Sequence, residues 1–480
     1  MKIFRFCVFT IILATLCGAS PAFAAADIVA AKTPKAVALE TDRPDLDFSL
    51  HRLGSDSGPT LLVVGGIQGD EPGGFSAASL LVTDYSIKSG RVWVVPNLNF
   101  PSIVKRNRGT FGDMNRKFAH VDPKDPDYAA VKKIQDIIRA PEVSVILNLH
   151  DGSGFFRPTH EGPMHNPNRW GQCVIIDQDA LDAQSFGQLE TMANTAIADV
   201  NKKLLKEEHR YHLHNTETSK GDKEMEKTLS YFAVRHGKPA FGLEASKSFT
   251  TEYRAYYHIL ALESFMRQMG IDFERKFKLT PQGVKMAINS NVGMSLYDNR
   301  LVLALDDVRP NIGFVPMKKN APVDITCSTP ILALLREKNA PTWRVAYGNR
   351  TLTRIKPEYM EFDESLPNVE LVYGGKTYSV PIGGTVVVSD TFLVKSIDGY
   401  RVNAIGARKE KANGSECNVT LRKNDFLPRY SVDKGATTYR VEIYKGKSFA
   451  GMILVRFGKA LPASRETMTA VKGPESDYGF

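Results

Sequence analysis

The sequence predicts an α/β domain with a mixed, largely parallel sheet flanked by helices, followed by two small all-β domains. Three observations carry this reading. Between residues 60 and 272, short apolar runs alternate with stretches of helical spacing. From Phe277 onward, short alternating runs separated by turn signals such as Tyr373-Gly374-Gly375 replace them. The length of 480 residues exceeds what a single hydrophobic core usually organises.

Residues 45–52 alternate like a first strand, and 60–64 form a buried one. Helical spacing over 73–82 puts Phe75, Ala78 and Leu81 on one side. Residues 91–95 are another strand, ending at Pro96-Asn97, and 99–118 read as an Arg- and Asn-rich loop. Val131, Ile134 and Ile138 mark a helix over 128–139, closed by Pro141. The apolar run 143–149 then ends at His150-Asp151-Gly152. Phe186, Leu189, Met192, Ala196, Val200 and Leu204 step as one long helix. Helices over 223–236 and 253–269 bracket a strand over 238–244.

This organisation predicts a leader over 1–24, a catalytic domain over 27–275, a small barrel-like β domain over 276–357, a β-sandwich over 358–460 and a polar tail over 461–480. The sandwich is expected to be immunoglobulin-like on strand count and length, without a cysteine–tryptophan–cysteine core.

Lys2 and Arg5, the apolar core 8–16 and Ala22-Phe23-Ala24 form an export signal cleaved after Ala24, which places the mature protein in the periplasm. Its removal leaves 60 basic against 53 acidic residues, a net charge of +7. That mild excess suits an anionic surface or polymer, and no nucleic-acid signature accompanies it. No other segment is long and apolar enough for a membrane span. Three cysteines outside the leader, Cys173, Cys327 and Cys417, form no disulfide framework and lack zinc-cluster spacing; a Cys327–Cys417 bridge and unpaired thiols are the alternatives.

The chemistry centres on Val63-Val64-Gly65-Gly66-Ile67-Gln68-Gly69-Asp70-Glu71-Pro72. A strand that stops and turns sharply into a helix is where α/β folds place their sites. Gln68, Glu71, His150 and Glu244 each sit at or just beyond a predicted strand end. Gln68, Glu71 and His150 offer three ligands, which is what catalytic zinc wants beside an open position. Glu244 is then placed to act as base toward water. Arg106-Asn107-Arg108 and Asp113-Met114-Asn115-Arg116 supply guanidinium groups for a terminal carboxylate and a developing oxyanion. His160, His165, His209, His212 and His214 lie in polar stretches and are read as loop residues, and 152–172 as a substrate rim.

These motifs resemble the zinc carboxypeptidase family. Gly65-Gly66-Ile67-Gln68-Gly69-Asp70-Glu71 matches its first ligand motif, with glutamine in place of histidine, and Asp113-Met114-Asn115-Arg116 its substrate-carboxylate motif. His150 matches its distal zinc ligand and Glu244 its general base. The carbonyl-polarising arginine is matched by Arg108, with Arg106 as the alternative. Glutamine at Gln68, the leader and two following β domains are similar to a narrower group, the cell-shape-determining peptidoglycan D,L-carboxypeptidases. That resemblance implies one zinc ion per chain and trimming of murein tripeptide stems to dipeptides, with release of meso-diaminopimelate. The rival expectations are another exported carboxypeptidase or amidase of the family, and a metal-free wall-binding protein.

Overall fold

The computed structural model describes residues 35–37, 46–55, 57–409 and 414–458. The expected leader and the tail lie outside these residues. A seven-stranded sheet organises the first half: β1 (His51–Gly54), β2 (Thr60–Val64), β3 (Arg91–Val95), β4 (Val143–Gly152), β5 (Cys173–Ile176), β6 (His212–Asn215) and β7 (Ala240–Ser246). Their spatial order is β6-β5-β7-β4-β2-β3-β1. Four pairings are parallel, and β5–β7 and β1–β3 are antiparallel.

Helices cover both faces, so the central strands are buried almost throughout and mainly apolar until their C-terminal ends. The period of two sorts them. Leu61 and Val63 of β2 point into one core, with α1 (Pro72–Asp84), α4 (Leu189–Asn201) and α6 (Thr251–Gln268). Leu62 and Val64 point into the other, with α3 (Tyr128–Arg139) and α5 (Leu229–Arg235). Val131, Ile134 and Ile138 of α3 are fully buried, as their spacing predicts.

Several elements differ from the sequence reading. The strand read over 45–52 covers His51–Gly54. The stretch read as a loop over 99–118 contains α2 (Phe100–Lys105), started by Asn99, whose side chain accepts the Ser102 amide, and a 3-10 turn at Met114–Arg116. Phe186 has a left-handed φ of 63° and stands outside α4. Residues 223–236 divide into a 3-10 turn, Met225–Lys227, and α5. Helix α7 (Pro281–Asn289), with Thr280 accepting the Gly283 amide as its cap, follows where only strands were expected. Its short apolar set, Val284, Ala287 and Ile288, is too brief for periodicity to reveal, but it packs on the same core as α1 and α6. His209 is buried, and His212 and His214 lie on β6 rather than in a loop.

Two four-stranded sheets pack on the first core: Asp324–Cys327, Gly293–Leu296 and Leu301–Ala304, edged by Lys35–Val37 paired to the first of these; and Asn311–Lys318, Arg350–Met360, Trp343–Tyr347 and Leu332–Arg336. Two further four-stranded sheets enclose a separate core around Leu371, Val388, Phe392, Val441 and Val455. Cys173, Cys327 and Cys417 are all free thiols. Among the described residues, no helix is long and apolar enough to cross a membrane.

Candidate active site

Strand ends build the site. β2 stops at Val64, and the chain turns at Gly66 with φ 73°. Gly69 passes so close to α2 that a Cβ there would meet the Ser102 carbonyl carbon at 2.1 Å. This tight crossing carries Gln68 inward. Glu71 caps α1 just before Pro72, the favoured residue for a first helical turn. On the neighbouring strands, His150 of β4 stands directly opposite Glu244 of β7. Residues opposite one another in a ladder face the same side, so both point into the crevice while Leu149 and Leu243 point into the core.

Three donor atoms converge there. His150 Nδ1 lies 3.0 Å from Glu71 Oε2 and 3.3 Å from Gln68 Oε1. The Gln68 amide is oriented from behind: its Nε2 donates to Asp113 Oδ1 at 2.8 Å, which leaves Oε1 facing His150. Glu71 Oε2 also accepts the Asp151 amide at 3.1 Å. All three side chains are buried, at 2% for Gln68, 3% for Glu71 and 6% for His150, which leaves them little water to satisfy them. Among the described residues no three His, Cys, Asp or Glu side chains group as metal ligands. The third donor here is an amide oxygen. One amide, one carboxylate and one imidazole form a set that fits a divalent ion with an open position.

Glu244 is 8% exposed, and its Oε2 has no hydrogen-bond partner among the described residues. Burial, then the charges of Glu71 and Asp151, push its pKa well above the ordinary carboxylate range. Burial would also raise the Asp113 carboxyl, but the Gln68 hydrogen bond and the Arg108 and Arg116 charges outweigh it and hold it low. Asp151, wholly buried, is held low against its burial by His258 at 3.1 Å, Arg254 at 3.1 Å and the Gly73 amide at 2.8 Å.

A cavity of about 300 Å³ joins these groups; Gln68, Glu71, Arg108, Asn115, Arg116, His150 and Glu244 all line it. Arg108 Nε binds Asp113 at 2.9 Å, and its Nη1 lies 3.8 Å from Glu71. Asn115 Oδ1 accepts the Leu229 amide at 3.0 Å, and its Nδ2 lies 3.4 Å from His150 Nε2. Arg116 reaches Glu224 at 3.3 Å. Arg106 does not line the cavity; it is an exposed left-handed residue ending α2.

Two groups at the site were not singled out by the sequence reading. Asp113 carries no chemical role in the motif alone, yet it orients Gln68 and anchors Arg108. Lys247, just past the end of β7, pairs with Asp70 at 2.8 Å and Glu71 at 3.4 Å. No sequence spacing signals those pairs, because they depend on how the turn before α1 meets the chain leaving β7.

Metal-ligating donors gathered at the strand ends of a mixed α/β sheet, beside a buried glutamate, suit a metallocarboxypeptidase, and two family models agree on that class. Residues 49–289 match the model described as the catalytic part of carboxypeptidases controlling helical cell shape, and residues 362–458 match the model for the C-terminal domain of metallo-carboxypeptidase. Solved structures of the cell shape determinant protein Csd4 from Helicobacter pylori are similar over the whole of their length. The product-bound form is 38% identical, covers 86% of this chain and 100% of its own, and superposes with a TM-score of 0.79. The form described as bound to mDAP, a D,L-carboxypeptidase, is 39% identical, covers 85% of this chain and 100% of its own, with a TM-score of 0.79. This chain belongs to the family of carboxypeptidases controlling helical cell shape. A curated relative, N-alpha-acetyl-L-2,4-diaminobutyric acid deacetylase from Halomonas elongata, is 36% identical over 103 residues, 20% of this chain; the match spans only 29% of that protein.

Proposed function

We propose that the chain is an exported, zinc-dependent D,L-carboxypeptidase that cleaves the bond between D-glutamate and meso-diaminopimelate in peptidoglycan tripeptide stems. Product is a dipeptide stem, and the consequence is remodelling of the wall and of cell shape. The observation that carries this is the convergence of Gln68 Oε1, Glu71 Oε2 and His150 Nδ1 beside the unpartnered Oε2 of Glu244. The similarity to structures described as bound to tripeptide, product and mDAP supports the substrate.

Gln68, Glu71 and His150 would hold one zinc ion per chain, which polarises a carbonyl and makes water more acidic. Glu244 Oε2 takes a proton from the attacking water and delivers it to the nitrogen of the leaving diaminopimelate as the C–N bond breaks. A buried carboxyl with a raised pKa holds that proton between the two steps. Asn115 and Arg116 bind the terminal carboxylate, and Arg108, on the cavity rim and held by Asp113, steadies the oxyanion. The leader over 1–24 delivers the chain to the periplasm. The two β domains are read over 276–357 and 358–460; α7 and a shared core tie the first to the catalytic domain, and the two four-stranded sheets among the described residues of the second are compatible with an immunoglobulin-like sandwich.

Incubating purified, zinc-loaded protein with muramyl tripeptide should release diaminopimelate, while an all-L peptide stays intact. Cleavage of the all-L peptide with no diaminopimelate release would refute the substrate assignment.

A further inference from the structure

Arg106, left outside the cavity, begins a row of cations. Arg344 donates to the Val104 carbonyl at 3.3 Å through Nη1 and 3.4 Å through Nη2, which sets its guanidinium at the end of α2, beside Arg106. Arg344 stands directly opposite Arg354 on the adjacent strand, so both side chains share one sheet face. Lys356, two residues further along, lies on that same face. Among the described residues neither Arg106 nor Arg344 forms an ion pair; Glu337, 3.1 Å from Arg354, is an acid set among them, and Glu358 follows Lys356 on the same face. Like charges placed opposite each other in a ladder are unfavourable. Burial and the charges of Arg106 and Arg354 loosen the Arg344 proton against the pull of Glu337.

The row ends on an aromatic ring. Lys356 Nζ lies 5.4 Å from the ring of Phe314, which is 60% exposed. Phe314 has a φ of 54°, a conformation a bulky residue adopts only when its surroundings impose it. Buried Arg440 imposes it by donating to the carbonyls of Gly313 at 2.9 Å and Phe314 at 3.2 Å. An exposed ring in that backbone state gains nothing from core packing.

We propose that Arg106, Arg344, Arg354, Lys356 and Phe314 form a docking ridge for the carboxylate-bearing glycan–peptide polymer whose stem enters the cavity. This rests on the proposed function above. Guanidinium groups grip carboxylates of neighbouring stems, and an aromatic face suits the apolar face of a sugar ring. The ridge starts two residues from Arg108, so polymer lying on it presents its next stem to the catalytic cavity.

The test compares Arg344→Gln/Arg354→Gln and Arg354→Gln/Lys356→Gln with wild type on isolated muramyl tripeptide and on tripeptide-rich sacculi. The second pair leaves the Arg344–Val104 contact in place, should the first disturb folding. Release from isolated tripeptide should be unchanged, while release from sacculi falls about tenfold, as expected for losing two exposed ionic contacts. Retention on pelleted sacculi should fall with it and lose much of its salt dependence. Unaltered retention and unaltered release from sacculi would overturn the ridge, as would an equal loss on both substrates with the fold intact. Failure of wild type on isolated tripeptide would instead count against the proposed function, and the retention measurement would still judge the ridge.

Discussion

The side-chain amide of Gln68 donates to Asp113 at 2.8 Å, and this bond decides which of its two amide atoms faces His150. An amide ligand has a choice that imidazole and carboxylate lack, since its nitrogen end cannot donate electrons to a cation. Asp113 removes that choice. The Gln68 hydrogen bond and the charges of Arg108 and Arg116 hold the Asp113 pKa low against its burial, which favours the ionised acceptor.

Asp113→Ala should therefore weaken metal binding about 10- to 100-fold, the range for losing a group that orients a ligand. Chelator competition on purified protein measures it. Undiminished affinity would show that Gln68 holds its orientation by other means.

Glu244→Gln keeps the shape of the side chain and removes its basicity. Hydrolysis should fall by about 10²- to 10⁴-fold, with tripeptide affinity and metal content retained. Rate and calorimetric binding measurements separate the two effects. A variant within a few-fold of wild-type rate would take the proton-transfer role away from Glu244.

Stability should decline on acidification through half-buried histidines. His214 stacks on Phe156 at 4.1 Å and lies 4.9 Å from Trp170, and burial lowers its pKa to about 4. His51 shifts the same way, also to about 4. The unfolded chain takes up these protons below about pH 6.5, where the folded chain still excludes them. Between about pH 6.5 and 4 the unfolded state binds more protons, so stability falls as pH falls. His214→Phe removes one contribution, and its melting temperature should drop less steeply than that of wild type across this window. Identical slopes would show that His214 does not contribute.

Some of this was legible in the residues because it is local. The apolar run Thr60–Val64 and the spacing of Val131, Ile134 and Ile138 each state their own secondary structure. Helix α7 escaped because nine residues give periodicity too little length, and the packing partners that stabilise it are distant in sequence. His212 and His214 escaped because their strand is held by a parallel partner 39 residues earlier.

By itself the sequence determined strands β2, β3, β4 and β7 and helices α1, α3 and α6, the glycine-lined turn that carries Gln68 and Glu71, and the candidate residues at the strand ends, since each depends on neighbours a few positions away. Only the tertiary structure decided that His150 and Glu244 stand opposite one another, that Asp113 turns the Gln68 amide, that Lys247 pairs with Asp70 and Glu71, and that Arg108 rather than Arg106 lines the cavity. Those are choices among partners brought close by packing, and no spacing along the chain encodes them.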